Sequence, residues 1–162
     1  MLSLGLLAAF PLTAPAAEAL KIGFVNTERV LREAAPAQRA QKKLEKEFQP
    51  RDQELQKMDK QVKDLQGQLE KEGMTMQESD RRKKERDLGE LTREFQRKQR
   101  EFREDLNLRR NEELAGVLER ANKVIRGIAE QDKYDLILQE AVYVGTKIDI
   151  TDKVLKALAA DK

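Results

Sequence analysis

Arg81, Arg82, Lys83, Lys84 and Arg86 place five cations within six residues, the densest positive charge in the chain. Guanidinium and ammonium groups at that spacing bind anions, whether the carboxylates of an acidic polypeptide or the phosphates of an anionic lipid surface or lipopolysaccharide. Glu85 and Asp87 lie among them, so the same stretch also reads as a solvated helix face that partly neutralises itself. Just ahead of the cluster, Met74 and Met76 carry soft, unbranched thioethers. Such side chains grip apolar segments of variable shape, or pack against a neighbour such as Leu69. These seven residues are the candidate binding set.

Other chemistry is removed by what the chain lacks. It contains no Cys and no His, which eliminates thiol nucleophiles, disulfides, zinc-finger ligands and the commonest general base. Beyond residue 19 the single serine is Ser79, so a Ser-His-Asp hydrolase is excluded. Carboxylate-only catalysis would need a pocket that a thin helical arm does not supply. The reading is therefore a protein that is not an enzyme, with no catalytic residue, metal or cofactor. Lys and Arg number 32 against 30 Asp and Glu, and the signs are interspersed. With aromatics at only 4%, there is neither a continuous basic stripe nor a row of stacking rings, which argues against nucleic acid as a partner.

The elements that position the candidate set follow from apolar spacing. At 38% charged residues, 162 residues hold too little apolar bulk for one compact core. Between Pro36 and Gly73 the apolar residues are Leu44, Phe48, Leu55, Met58, Val62, Leu65 and Leu69, a heptad seam. One member is missing, at Arg51, beside Pro50, which lacks an N–H and predicts a kink. Residues 37–72 would extend about 54 Å as a helix. Gly73 suits a left-handed C-terminal cap, and Thr75-Met76-Gln77-Glu78 a capping box, so the chain is predicted to reverse at a tip near 73–75. The returning helix carries Leu88, Leu91, Phe95, Phe102 and Leu106, with Lys98 standing where another apolar residue belongs. Asp59 with Lys63 and Glu94 with Lys98 are acid-before-base pairs that solubilise the exposed faces. The gaps, Pro50 and Gly67 together predict a flexible arm.

Past Leu106 the apolar stripe widens through Leu114, Val117, Leu118, Ala121, Val124, Ile125 and Ile128, so this end is predicted to be buried in a root. Short β-type stretches supply that root: Ile22 and Phe24 on one face of 21–26, then 134–138, Ala141–Val144 and Ile148–Ile150. Thr151 is read as the cap of a closing helix, with Ile150 and Leu155 as its hydrophobic staple. Three or four short strands leave bare edges and cannot close a barrel, so copies of the chain are expected to complete it. The expected oligomer core is Ile22, Phe24, Leu136, Leu138, Val142 and Val144, with Leu114, Val117 and Ile125. The fold class is α+β, a long antiparallel helical hairpin on a small β root completed by homo-oligomerisation. Its boundaries are 1–19, 20–36 for the first strand and short helix, 37–130 for the arm, and 131–162 for the remaining body. Residues 1–19 read as a secretory signal peptide: an apolar run from Leu2 to Leu12 is followed by Ala14-Pro15-Ala16 and Ala17-Glu18-Ala19, although no Lys or Arg precedes the run.

In this order of elements the chain resembles the Skp (OmpH) family of periplasmic chaperones. The resemblance spans the whole chain after the signal. It is most specific at Lys21-Ile22-Gly23-Phe24-Val25-Asn26, at Arg109-Arg110-Asn111-Glu112-Glu113, at Ala141-Val142-Tyr143 and at Lys147 to Leu155. It implies a homotrimer whose strands form a central barrel, with three hairpins hanging around a cavity. It also implies a holdase that keeps unfolded outer membrane proteins apart in the periplasm without ATP. The alternative is an envelope scaffold whose arms dock rigidly on one fixed partner.

Overall fold

The computed structural model describes residues 19–160, so the signal peptide expected over 1–19 lies, apart from Ala19, outside the described residues. The element order is β1 (Ile22–Phe24), α1 (Thr27–Glu33), α2 (Ala35–Glu72), α3 (Glu78–Asp132), β2 (Leu136–Leu138) and α4 (Thr151–Ala160). Helices α2 and α3, of 38 and 55 residues, form the expected hairpin, about 57 Å and 83 Å long. None of the described helices is long and apolar enough to cross a membrane.

The ends of these helices show which local rules prevail. Asn26 caps α1 through Oδ1, which accepts the Arg29 N–H at 2.9 Å. Pro36 sits in the first turn of α2, where its missing N–H costs nothing. Helix α2 then runs unbroken through Pro50. At the tip, two expectations fail. Gly73 is right-handed, at φ −56° and ψ −32°, and the capping box does not form: Gln77 takes the cap position and the Thr75 hydroxyl donates instead to the Glu72 carbonyl at 3.0 Å. The reversal is organised by that carbonyl, which also accepts the N–H groups of Thr75 and Met76. Glycine is still required at 73, because a Cβ there would lie 2.3 Å from the Leu69 carbonyl oxygen. The left-handed cap belongs to Lys133, at φ 58°, where the Tyr134 N–H reaches back to the Ala129 carbonyl and ends α3.

The body is folded around the widened end of α3. Val117, Ala121, Ile125 and Ile128 pack with Val25, Val30, Ala34, Ala37, Ile150, Val154 and Leu158 from α1, the base of α2 and α4. Val117 and Ile125, expected in an oligomer core, are thus covered within one chain: the broad stripe finds α1 and α4. Thr151 is fully buried, but its hydroxyl accepts the Asn26 N–H at 2.9 Å, while the Asp149 carboxylate accepts the Thr151 N–H at 2.8 Å and caps α4. Thr151 therefore ties α4 to β1 instead of capping its own helix.

Strand β1 pairs in parallel with β2, with Ile22, Gly23 and Phe24 opposite Leu136, Ile137 and Leu138. On its other side Phe24 bridges to Asp149, through Phe24 N–H to Ile148 O at 2.7 Å and Ile150 N–H to Phe24 O at 2.9 Å. Among the described residues the strand expected at Ala141–Val144 does not form. Alternation sets the two faces. Gly23 and Ile137 face the helical core, where a Cβ on Gly23 would press on Tyr134 and Ile150 at 3.2 to 3.3 Å. Ile22, Phe24, Leu136 and Leu138 take the other face, which leaves Leu136 and Leu138 exposed.

Candidate functional site

The arm is the element that projects from this body, and its physical character is thinness. From Asp59 to Gly116 no side chain is buried, so the outer seam of Val62, Leu65 and Leu69 against Leu88, Leu91 and Phe95 is only half covered. Near the root the contact tightens. Phe48 meets Phe102 edge to face, with centroids 5.6 Å apart at 83°, a geometry in which the positive ring edge meets the negative ring face. The Arg51 guanidinium lies 5.6 and 5.8 Å from the two ring centroids and pairs with Asp105 at 2.8 Å.

The two interruptions read in the seam are thus occupied by paired charges. Lys98 does not pair with Glu94; it crosses the hairpin to Glu54, and Glu94 takes Arg97 at 3.8 Å. The expected Asp59–Lys63 pair forms, at 2.6 Å. Further in, Arg109 contacts Glu47, Glu112 and Glu113, and Lys43 reaches Glu113 at 2.5 Å. The bonds to Glu47 and Glu112 raise the Arg109 pKa above its ordinary value. Lys43, then Arg109, holds the Glu113 carboxyl below the usual carboxylate range, and the hydrogen bond from Lys98 does the same for Glu54.

A pH dependence follows from these depressed carboxyls. A group whose pKa is lowered on folding stabilises the fold fully above its unfolded value, near 4.5, and loses that contribution as pH falls through the folded value. Acidification below pH 4.5 should therefore release the cross-arm contacts of Glu54 and Glu113 while leaving neutral-pH behaviour flat. Hydrogen exchange on α2 amides, corrected for intrinsic rates across pH 3 to 7, checks this; protection unchanged on acidification would show that the contacts hold nothing.

Beside the aromatic contact a groove of about 670 Å³ opens between α2 and α3. Leu31, Leu44, Phe48, Phe102, Leu106 and Leu114 line it, with Glu45, Asp52, Arg110 and Glu113 around them. It did not emerge from the sequence, where Leu44 and Leu106 were read as seam residues closed on each other. Leu114, part of the widening stripe, stays half-buried at the groove while Val117 is covered, a difference the sequence does not signal.

The binding set read at the tip lies together, but far from the groove: Phe48 to Glu72 spans about 36 Å of helix. Met74 is 99% exposed, so it does not pack on Leu69, whereas Met76 is half-buried. Arg82 pairs with Glu78, Arg81 with Glu85 at 3.7 Å, and Lys84 donates to Gln68 across the hairpin at 2.9 Å. Lys83 and Arg86 form no ion pair among the described residues.

Comparison with known proteins decides what this arm belongs to. Residues 21–158 match the family described as Outer membrane protein (OmpH-like). The chain belongs to that family. Curated relatives are the Chaperone protein Skp of Pectobacterium atrosepticum, 32% identical over 94% of this chain and 93% of that protein, and that of Yersinia enterocolitica, 32% identical over 86% of each. The OmpH-like protein of Caulobacter crescentus, known from its crystal structure, superposes with a TM-score of 0.74 over 96% of this chain and 92% of that one. At 18% identity that likeness speaks for the fold: an arm of two long helices on a small body. By family this OmpH-like chain is a chaperone.

Proposed function

We propose that this protein is an ATP-independent holdase of the periplasm, in which three copies join through their bodies and hold unfolded outer membrane β-barrel proteins between the arms. The supporting observation is the pairing of an apolar groove of about 670 Å³ with an arm too thinly packed to be rigid, in a chain 32% identical to Skp chaperones. An unfolded client is long and variable in sequence. Several weak contacts on bendable arms retain such a chain by avidity, without a sequence motif and without irreversible capture. The body supports the trimer: β2 pairs only with β1 among the described residues, leaving polar backbone at its other edge, and Val142 and Tyr143 expose apolar side chains beyond it. Lys83 and Arg86 at the tip are the cations an acidic client, or lipopolysaccharide, would meet first.

Diluting a urea-unfolded outer membrane β-barrel into buffer with this protein tests the reading. Light scattering should stay near baseline, with a soluble complex of three chains per client, for several unrelated barrels. Scattering that rises as in buffer alone would end the holdase reading, and binding confined to one folded envelope protein would favour the scaffold.

A further inference from the structure

The polar residues inside the arm's seam form a ladder. Lys43, Glu47, Arg51 and Glu54 of α2 meet Glu113, Arg109, Asp105 and Lys98 of α3, and Gln68 meets Lys84 nearer the tip. Along α2 the signs read plus, minus, plus, minus, and along the facing helix minus, plus, minus, plus. We propose that this alternation fixes the register in which the hairpin closes, a task the apolar seam performs poorly.

The seam is weakly informative because it repeats. Leu55, Val62 and Leu69 are seven residues apart, as are Met58 and Leu65, so moving outer α2 by a heptad places one aliphatic or thioether side chain where another stood. With no buried side chain from 59 to 116, little packing detail separates one alignment from the next. Charge separates them. A heptad slip one way brings Lys43 to Arg120 and Glu54 to Asp105, both repulsive, leaves Glu47 facing Gly116, and offers only Arg51 a new partner, Glu112. A slip the other way sets Arg51 against Lys98 and strands Lys43 and Glu47 on Leu106 and Phe102. Only the observed alignment satisfies every rung.

Each rung is half-exposed and adds little to stability alone, but specificity is a difference between alignments, and wrong partners contribute as much as right ones. A polar residue at a seam position is a known means of choosing register at some expense of stability. Lys43 and Glu54 refuse the slip in one direction and Arg51, facing Lys98, refuses it in the other, so the charges of α2 carry this role.

The absence of cysteine makes the test direct. Gln68→Cys with Lys84→Cys reports the native alignment by disulfide formation, and Gln68→Cys with Leu91→Cys reports the heptad slip. In the otherwise unaltered chain the native pair should form at least about tenfold faster; with Lys43→Leu, Glu47→Leu, Arg51→Leu and Glu54→Leu, which remove the α2 side of all four charged rungs, the arm should stay helical and show a native preference of about twofold or less. A second variant, Arg51→Glu with Asp105→Arg and Glu54→Lys with Lys98→Glu, exchanges the signs at two rungs and should keep the native preference. The proposal is overturned if the helical leucine variant retains the full preference, or if the sign-exchanged variant loses it.

Discussion

Val154→Asp should unfold the body. Val154 is fully buried on α4's inner face, in an apolar cluster with Val25, Val30, Ile125 and Leu158. A carboxylate there loses its water and gains no partner, a penalty of at least about 4 kcal/mol. Domains of this size hold only about 5–15 kcal/mol in total, so the substitution consumes most of the margin. Circular dichroism and hydrogen exchange should show β1, α1 and α4 unprotected at 25 °C. Body amides protected as in the parent would mean that the core around α4 is not what holds the body together.

The same change twelve residues earlier should do the opposite within a chain and more between chains. Val142 is wholly exposed, so an Asp there meets water and should leave the single-chain fold intact. If three bodies join by covering this segment, the charge is buried on assembly in each copy, and the trimer should separate into folded monomers at micromolar concentration. Sedimentation velocity reads this directly. A Val142→Asp protein that sediments as the parent does would remove the segment from the interface.

The contrast between these two valines also shows where the sequence was legible. Val142 read as oligomer core yet is left uncovered by its own chain, whereas Val154, which was not singled out, is fully buried by it. The hairpin was readable because heptad spacing is a local signal, and Gly73 correctly marked the tip. Its conformation was not readable, because a glycine serves a left-handed cap and a close carbonyl approach equally well. Arg51 and Lys98 read as gaps, since a hydrophobic pattern registers a charge as an absence, and their partners Asp105 and Glu54 lie far away in sequence. Val117 and Ile125 were expected in an oligomer core but are buried within one chain, because which surface covers them depends on where α1 and α4 land. The groove depends on two helices diverging, which no single helix encodes.

The parallel pairing of β1 with β2 has a consequence for how the molecule is made. The Lys21 N–H is bonded to the Asp135 carboxylate across 114 residues, with the entire arm inserted between the two strands. Bringing such distant ends together in a flexible chain would cost about 4 kcal/mol of loop-closure entropy before any contact of the sheet returned it. A hairpin that closes from its tip avoids most of that cost, since each turn zipped delivers the bases of α2 and α3 nearer to each other. The arm is then a splint during synthesis as well as a limb afterwards: helices first, sheet last, with a wrongly aligned arm handing the body two strands that cannot meet.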